Sequence, residues 1–482
     1  MGEAVYKEAF TPVEYKEFSI RLESQLELLR ELLRQPSFSQ GAASIGAELE
    51  VYLVDNNYLP AAVNEELLAL AKNPQLTPEL NRYNLEFNLS PVAAAGPSFT
   101  ALEKELREFL DDLQAHAVSI DANIIPIGIL PTLQERHLSQ SYMTDRPRYH
   151  ALKRGIRGFR GDNYHIDISG AEHLSLQGEG VTVEGANTSF QVHLRVPADE
   201  FASNFNAAQL TTPFTLALGA NSPLIGGMRL WQESRIALFK KSIDFRERGN
   251  PDWRQPARVT FGHGWVREGA WELFAENVAV FPPIIPALYD DETDATRLPE
   301  LCLHHGTVWP WNRAVYGGDH LRIEFRALPA GPTVIDMMAN AALSIGWAAG
   351  LGDSVNHYIA RLPFRFAEYN FYRAAQYGLD AKILWPRKHV GGLEERPIVE
   401  LIEEFLPRAR LGLEKLGVAE ADIARLWKVI EQRLETRRTG AAWQLHEYER
   451  YRNQCGMEEA CGRMLSDYVD NVMEGNPVAS WC

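Results

Sequence analysis

The sequence predicts an α+β protein in which an antiparallel β-sheet keeps one polar face open, helices cover its other face, and a helical extension follows. Three observations carry that expectation. Segments near residues 45–54, 83–89, 188–196 and 320–328 read as strands, the last three with clear alternation of polar and apolar side chains. The stretches between them have helical apolar spacing and unequal lengths, and the charge on the strands suits an antiparallel sheet with one open face better than a parallel sheet buried on both. From about Pro397 onward only helical patterning remains. The expected organisation is a main domain over residues 1–395 and a helical extension over 396–482.

Taken in order, Leu22, Leu26, Leu29 and Leu33 place an amphipathic helix over residues 15–34, packed on the main domain. A strand follows over Ile45–Val54, then another over Tyr83–Leu89, with Tyr83, Leu85, Phe87 and Leu89 on one face and Asn84, Glu86 and Asn88 on the other. Thr100-x-x-Glu103 has the spacing of a capping box and predicts the start of a helix through Leu102, Leu106, Phe109, Leu110 and Leu113. Asn123–Leu130 reads as a short apolar strand leading into a loop with Arg146, Arg148 and Tyr149. Thr188–Val196 sets Gln191, His193 and Arg195 on one face, and Pro197 opens a helix that ends near Gly219. His320–Leu328 puts Arg322, Glu324 and Arg326 on one face, and an apolar helix after Pro332 reaches Gly350. In the extension, Leu401, Phe405, Leu411, Leu416, Ile423, Leu426, Ile430 and Leu434 mark charged helices punctuated by Gly417 and Gly440.

Composition narrows the function. The chain of 482 residues is 45 % hydrophobic and 23 % charged, with 48 Lys and Arg against 64 Asp and Glu, a formal net charge of −16. That balance disfavours nucleic acid or an anionic membrane as the main partner. There is no basic segment followed by an apolar one at the N-terminus and no run of 18 apolar residues, so a cytoplasmic protein is expected. Cys302, Cys455, Cys461 and Cys482 lack C-x-x-C spacing and are expected to be reduced thiols without zinc.

The chemistry concentrates on the strands. Glu48 and Glu50, two residues apart on one strand, share a face roughly 6.5–7 Å apart. Flanked by Ile45, Leu49, Val51 and Leu53, such carboxylates raise each other's pKa or hold a cation between them. If the strands are neighbours, Glu86 and Glu324 join them, and magnesium or manganese is the natural counterion. His193, Gln191, Arg322 and Arg326 would then supply donors for a phosphate. Plainer readings stand beside this one. Solvated edge strands also carry Glu-x-Glu, a lone His193 is satisfied at many sheet edges, and Arg322 and Arg326 around Glu324 are compatible with a salt-bridge ladder. Neither a Walker A sequence nor a strand-borne G-x-G-x-x-G is present, Phe261-Gly262-His263-Gly264-Trp265 reads as a turn, and no G-x-S-x-G elbow occurs. A glycosidase needs only two acids about 5–9.5 Å apart, which Glu48 and Glu50 would serve, but the arginines suit phosphate better than sugar.

Seven elements then fall in a telling order. They are Gly46-Ala47-Glu48-Leu49-Glu50, Asn84-Leu85-Glu86-Phe87-Asn88-Leu89-Ser90-Pro91, Arg148-Tyr149, and Ser189-Phe190-Gln191-Val192-His193-Leu194. Next come Ala220-Asn221-Ser222-Pro223 with Gly226 and Ser234-Arg235, then Gly306-Thr307-Val308-Trp309, and last Arg322-Ile323-Glu324-Phe325-Arg326. Over about residues 40–390 this series resembles the second glutamate–cysteine ligase family, the carboxylate–amine ligases. The resemblance implies a glutamine-synthetase-like fold, in which a curved antiparallel sheet holds two or three Mg2+ ions, or Mn2+, between ATP and an amino-acid substrate. Carried onto this sequence, it makes Glu48, Glu50, Glu86, Glu324 and His193 metal ligands and Arg326, Glu48 and Glu324 the catalytic set. Arg148, Tyr149, Gln191, His193, Arg235 and Arg322 would contact ATP or substrate.

The implied reaction phosphorylates a γ-carboxylate with ATP and lets an amine, cysteine's in the best-known members, attack the acyl phosphate. The partners are small molecules, a glutamate-like carboxylate and an amine, with a homo-oligomer left open. Mobile loops would have to shield the intermediate, and residues 130–165 are the candidate. One departure stands out: Gln191-Val192-His193 replaces the family's usual His-Val-His. A catalytically altered nucleotide- or metabolite-binding protein of the same fold is the alternative. Glu48→Gln and Glu324→Gln are expected to abolish turnover and to leave stability unchanged or improved, because each removes repulsion.

Overall fold

The computed structural model describes residues 5–160, 163–244, 246, 256–290, 294–388 and 391–482. The elements that place the site are, in chain order, α1 (Pro12–Leu33), β1 (Ser44–Val54), β2 (Leu76–Pro78), β3 (Asn84–Asn88), β4 (Val92–Ala93), α2 (Ser98–Val118), β5 (Asn123–Ile125) and α3 (Pro147–Arg160). They continue with β6 (Phe190–Val196), α4 (Phe201–Gly219), β7 (Asn312–Tyr316), β8 (Leu321–Phe325), α5 (Val334–Leu351), α6 (Ile398–Lys415), α7 (Glu420–Thr436), α8 (Gly440–Arg452) and α9 (Met457–Glu474). One eight-stranded sheet runs in the order β7-β8-β6-β1-β3-β2, with β4 and β5 also paired to β1, and every pairing in it is antiparallel. The antiparallel α+β expectation holds, and so does the helical C-terminal region.

The alternation read from the sequence decides which face is core. Ile45, Ala47, Leu49 and Val51 of β1, Leu85 and Phe87 of β3, Val192 and Leu194 of β6, and Ile323 and Phe325 of β8 are all buried in one apolar core shared with the helices. The opposite, polar face is left for chemistry. Helix α5 is buried along nearly its whole length between α4 and α6. Glycines allow the α5–α6 contact: a Cβ on Gly346 would sit 2.5 Å from the Ala409 carbonyl oxygen, so only a hydrogen fits. The stretch Val334–Ile359 is long and apolar enough to cross a membrane, yet 94 % of its apolar 18-residue window is buried inside the protein, so here it belongs to the core.

The C-terminal helices belong to the same packing. Arg433 of α7 donates from Nη2 to Asp336 Oδ1 (2.7 Å) and from Nη1 to Asn340 Oδ1 (2.6 Å), both on α5. Gln444 of α8 and Tyr468 of α9 reach Asn221, and Tyr468 also donates to the Pro126 carbonyl at 2.9 Å. Trp443, Tyr468 and Trp481 join Tyr52, Tyr83 and Ile125 in a second apolar cluster beneath the end of β1.

Three boundaries differ from the sequence reading for physical reasons. Helix α2 begins at Ser98 and has no capping box, because the Thr100 backbone N–H donates to Asp422 of α7 (3.0 Å), Thr100 Oγ1 also donates to Asp422, and Glu103 pairs with Arg107 and Arg425. A distant carboxylate has replaced the local cap. The strand expected over residues 123–130 pairs only over Asn123–Ile125, since Pro126 has no N–H to offer the ladder. Residues 130–165 carry two short 3-10 turns and α3 rather than a loop throughout, and residues 161 and 162 lie outside the described residues. Unforeseen were two hairpins, Asn163–Ser169 with His173–Glu179 and Lys382–Pro386 with Leu393–Pro397.

Candidate active site

Register brings the predicted residues together. Across β1 and β3, Glu50 faces Glu86 and Glu48 faces Asn88; across β1 and β6, Glu48 faces Gln191 and Gly46 faces His193. Across β6 and β8, His193 faces Glu324, and across β7 and β8, Arg313 faces Glu324. Residues directly opposite each other point to the same side of a sheet, so the polar face collects all of them. Two ligand sets result. Glu48, His193 and Glu324 have ligand atoms within 4.8 Å of one another, as do Glu50, Glu79 and Glu86.

The first set is electrostatically braced. Glu324 is fully buried and accepts from Arg313 Nε (2.5 Å) and Nη2 (3.0 Å) and from Arg326 Nη1 (2.9 Å). Burial alone would raise its pKa, but Arg313, Arg326 and His193 outweigh it and hold the carboxylate ionised. Burial also pulls Glu48 upward, and His193, with Nε2 3.2 Å from Glu48 Oε1, reverses the shift. The Nδ1 of His193 is buried without a hydrogen-bond partner.

The second set is strained by like charge. Glu50 accepts from the Ser189 backbone N–H (2.7 Å) and Gln191 Nε2 (2.9 Å), and burial raises its pKa against the opposing pull of Arg235 and Arg326. Burial, then Glu48 and Glu50, push Glu86 up to about 8, and burial with Glu86 and Glu50 pushes Glu79 well above the usual range. A divalent cation among these three carboxylates would relieve both effects, so the donor set fits a hard metal.

Gln191 links the sets. Its Oε1 accepts from Arg326 Nη1 at 2.5 Å while its Nε2 serves Glu50, so the amide that departs from the family pattern is bonded on both sides. Arg235 is 3 % exposed and donates from Nη1 and Nη2 to Glu233 (3.1 Å) and to the carbonyls of Ala327 (3.1 Å) and Arg326 (3.3 Å), bracing the chain just after β8, while its Nε is buried without a partner. The Arg322 guanidinium lies 3.4 Å from His320 Nε2, with its charge bearing on Glu324 and Glu48. Tyr149 donates to the Pro78 carbonyl (2.8 Å), next to Glu79, and the charge of Arg148 reaches Glu184. All the predicted residues therefore gather on or beside this face.

Residues 44–268 match glutamate-cysteine ligase family 2. The match bears out the resemblance read from the sequence and covers just under half of the chain. Glu48, Glu50, Glu86, Arg148, Tyr149, Gln191, His193 and Arg235 lie inside the matched stretch, whereas Arg313, Arg322, Glu324 and Arg326 lie beyond it and join by strand register. Among solved structures, the fold is similar to a glutamate–cysteine ligase from Francisella tularensis in complex with AMP, at 12 % identity and a TM-score of 0.58 over 90 % of both chains. It is similar too to a bifunctional glutathione synthetase from Pasteurella multocida, at 12 % identity and a TM-score of 0.50, with 95 % of this chain covering 55 % of that one. Identities this low show a shared fold. No curated protein matches the sequence.

Three site residues escaped the sequence reading. Arg313 sits on a short strand whose partner only the register reveals. Glu79 follows the three-residue β2, and Glu184 opens a 3-10 turn, so neither lies in a periodic pattern. The cavity beside the second set is lined by Glu50, Glu79, Glu184, Arg235, Arg326 and Trp311, among others.

Proposed function

We propose that the protein is an ATP- and Mg2+-dependent carboxylate–amine ligase of the glutamate–cysteine ligase type, acting on small molecules in the cytoplasm. The observation that supports this most is the pair of ligand sets on one sheet face, joined through Arg326 and Gln191. Glu48, His193 and Glu324 would hold one divalent ion and Glu50, Glu79 and Glu86 another. Such ions, when bound, neutralise phosphate oxygens and the charge that develops in phosphoryl transfer.

The chain's own residues do the rest. A substrate carboxylate oxygen attacks the γ-phosphorus of ATP, the bond to the β-phosphate oxygen breaks, and ADP leaves. Arg326 has its Nη1 fixed by Glu324 and Gln191, so its other donors are held in place for the transferred phosphoryl oxygens. Arg313 and Arg235 keep that geometry rigid, one through Glu324 and the other through the carbonyls of Arg326 and Ala327 just after β8. The amine nitrogen then attacks the acyl carbon, phosphate departs and the amine proton is lost, leaving an amide. Residues 1–395 would carry this chemistry, with the helices beyond 396 buttressing it.

Measuring ADP release with Mg2+ across a panel of amino acids, alone and in pairs, tests the reading. Release that requires one carboxylate and one amine is expected. Activity that persists in EDTA, or silence across the panel from folded protein, would overturn it.

A further inference from the structure

The cavity beside Glu50 is lined by buried polar atoms without partners, the acceptors of Asn84 and Asn187 and the donors Arg235 Nε and Trp311 Nε1. The Glu184 side chain makes no hydrogen bond or ion pair among the described residues, although it lines the cavity. Asn84 is 1 % exposed, and its Nδ2 donates to the Val51 carbonyl (3.4 Å), which fixes the amide and leaves Oδ1 buried without a partner. Asn187 repeats the arrangement: Nδ2 donates to the carbonyls of Val183 (3.2 Å) and Glu184 (2.9 Å), and Oδ1 is again buried and unmatched. Both asparagines line the same cavity as Glu184.

Buried acceptors without donors are costly, so a cluster of them on a cavity wall describes the missing ligand. Three acceptors, one of them ionisable, complement the three N–H donors and the positive charge of a primary ammonium. The same cavity offers Arg326, whose Nη1 alone is engaged by side chains and whose charge also bears on Glu184, and with the unpartnered Arg235 Nε and Trp311 Nε1 it suits an anion as well. The turn bearing Glu184 is fixed in place, since a Cβ on Gly185 would lie 2.7 Å from Asn81 Nδ2.

We propose that Glu184, Asn84 and Asn187 form the subsite that receives a substrate's primary ammonium group, with the reacting carboxyl or acyl phosphate held toward Arg326. The inference deepens the ligase reading and rests on it for the identity of the site. The ammonium can belong to the carboxylate donor or to the amine acceptor, and the test separates the two.

Calorimetric titrations with Mg-ADP present compare L-glutamate with glutarate, which lacks the ammonium, and L-cysteine with 3-mercaptopropionate, for wild type and Glu184→Gln. In one pair the wild type should prefer the ammonium-bearing member by about 10- to 150-fold, the range of a charge-assisted hydrogen bond. Glu184→Gln should bring that pair near parity while leaving the affinity of the deaminated member unchanged. The pair affected names the source: glutamate for the donor, cysteine for the acceptor. Asn187→Leu, at a half-buried position, should narrow the same preference by a smaller factor with the native circular dichroism spectrum retained.

No preference in the wild type for either pair overturns the subsite. So does a preference that survives Glu184→Gln, or an equal loss of affinity for both members. Binding needs no turnover, so a protein with the ammonium preference and no ADP release would sink the ligase reading alone. Turnover with a preference indifferent to Glu184 would sink the subsite alone.

Discussion

Glu86→Gln and Glu324→Gln should move stability in opposite directions, although both remove one carboxylate from the same sheet face. From sequence alone Glu324 is one of four mutually repelling charges, and its neutralisation is expected to be harmless or helpful. Arg313, directly opposite on β7, reverses that sign. Removing one partner from a buried ion pair costs about 3–5 kcal/mol, and Glu324→Gln leaves two guanidinium groups facing an amide. Glu86 is the contrary case. Its pKa is raised from the ordinary 4.5 to about 8, so its stabilising contribution is complete below pH 4.5 and is lost as pH rises toward 8. At about 1.4 kcal/mol per unit, the penalty is about 1 kcal/mol at pH 5 and about 3 kcal/mol at pH 7. Glutamine carries no such penalty. Urea unfolding in EDTA at pH 5 and pH 7 should therefore show Glu86→Gln more stable than wild type, with a gap that widens with pH, and Glu324→Gln less stable at both. A Glu86→Gln gap that is negative, or equal at the two pH values, would refute the electrostatic account of the second ligand set. With Mg2+ added, the advantage of Glu86→Gln should shrink, because the wild type, with all three carboxylates of the second set, gains more from binding the ion.

Other outcomes follow from the same geometry. His304 and His305 are buried, and burial depresses their pKa values to about 4 and about 3, so the folded state keeps them neutral. Their contribution is intact above pH 6.5 and is lost as pH falls below it, by about 2 kcal/mol for each at pH 5, which His305→Gln should roughly halve in chemical denaturation. Arg433→Met, which leaves Asp336 buried and unpaired, should cost about 3–5 kcal/mol in thermal unfolding and loosen α7 from α5. Gly346→Ala pushes a methyl group into the Ala409 carbonyl and should cost about 1–3 kcal/mol. Glu79→Gln should raise the Mg2+ concentration giving half-maximal ADP release about tenfold, because it removes one of three charged ligands; an unchanged Mg2+ dependence would exclude Glu79 from the metal set.

What could be read from the sequence, and what could not, divides along a physical line. Which face of a strand a side chain takes is local information, fixed by a period of two. Glu48, Glu50, Glu86 and Glu324 could therefore be assigned to one surface as soon as their strands were assumed to be neighbours. What lies opposite a residue is global information. Nothing around Asn312–Tyr316 says that Arg313 faces Glu324, and nothing around Ala419–Asp422 says that Asp422 replaces the cap of α2. Glu79 and Glu184 lie off the periodic segments and reach the site through the path of the chain between elements. The consequence is chemical as well as topological. A sequence shows how many charges a face holds, but their sign of effect depends on partners that arrive from elsewhere, so Glu324 is a stabilised anion while Glu86, on the same face, is a carboxylate that metal-free protein keeps protonated at neutral pH. That asymmetry is compatible with the proposed two-ion reading: one ligand set is held ionised by arginine, and a neighbouring set would ionise fully only when a cation arrives.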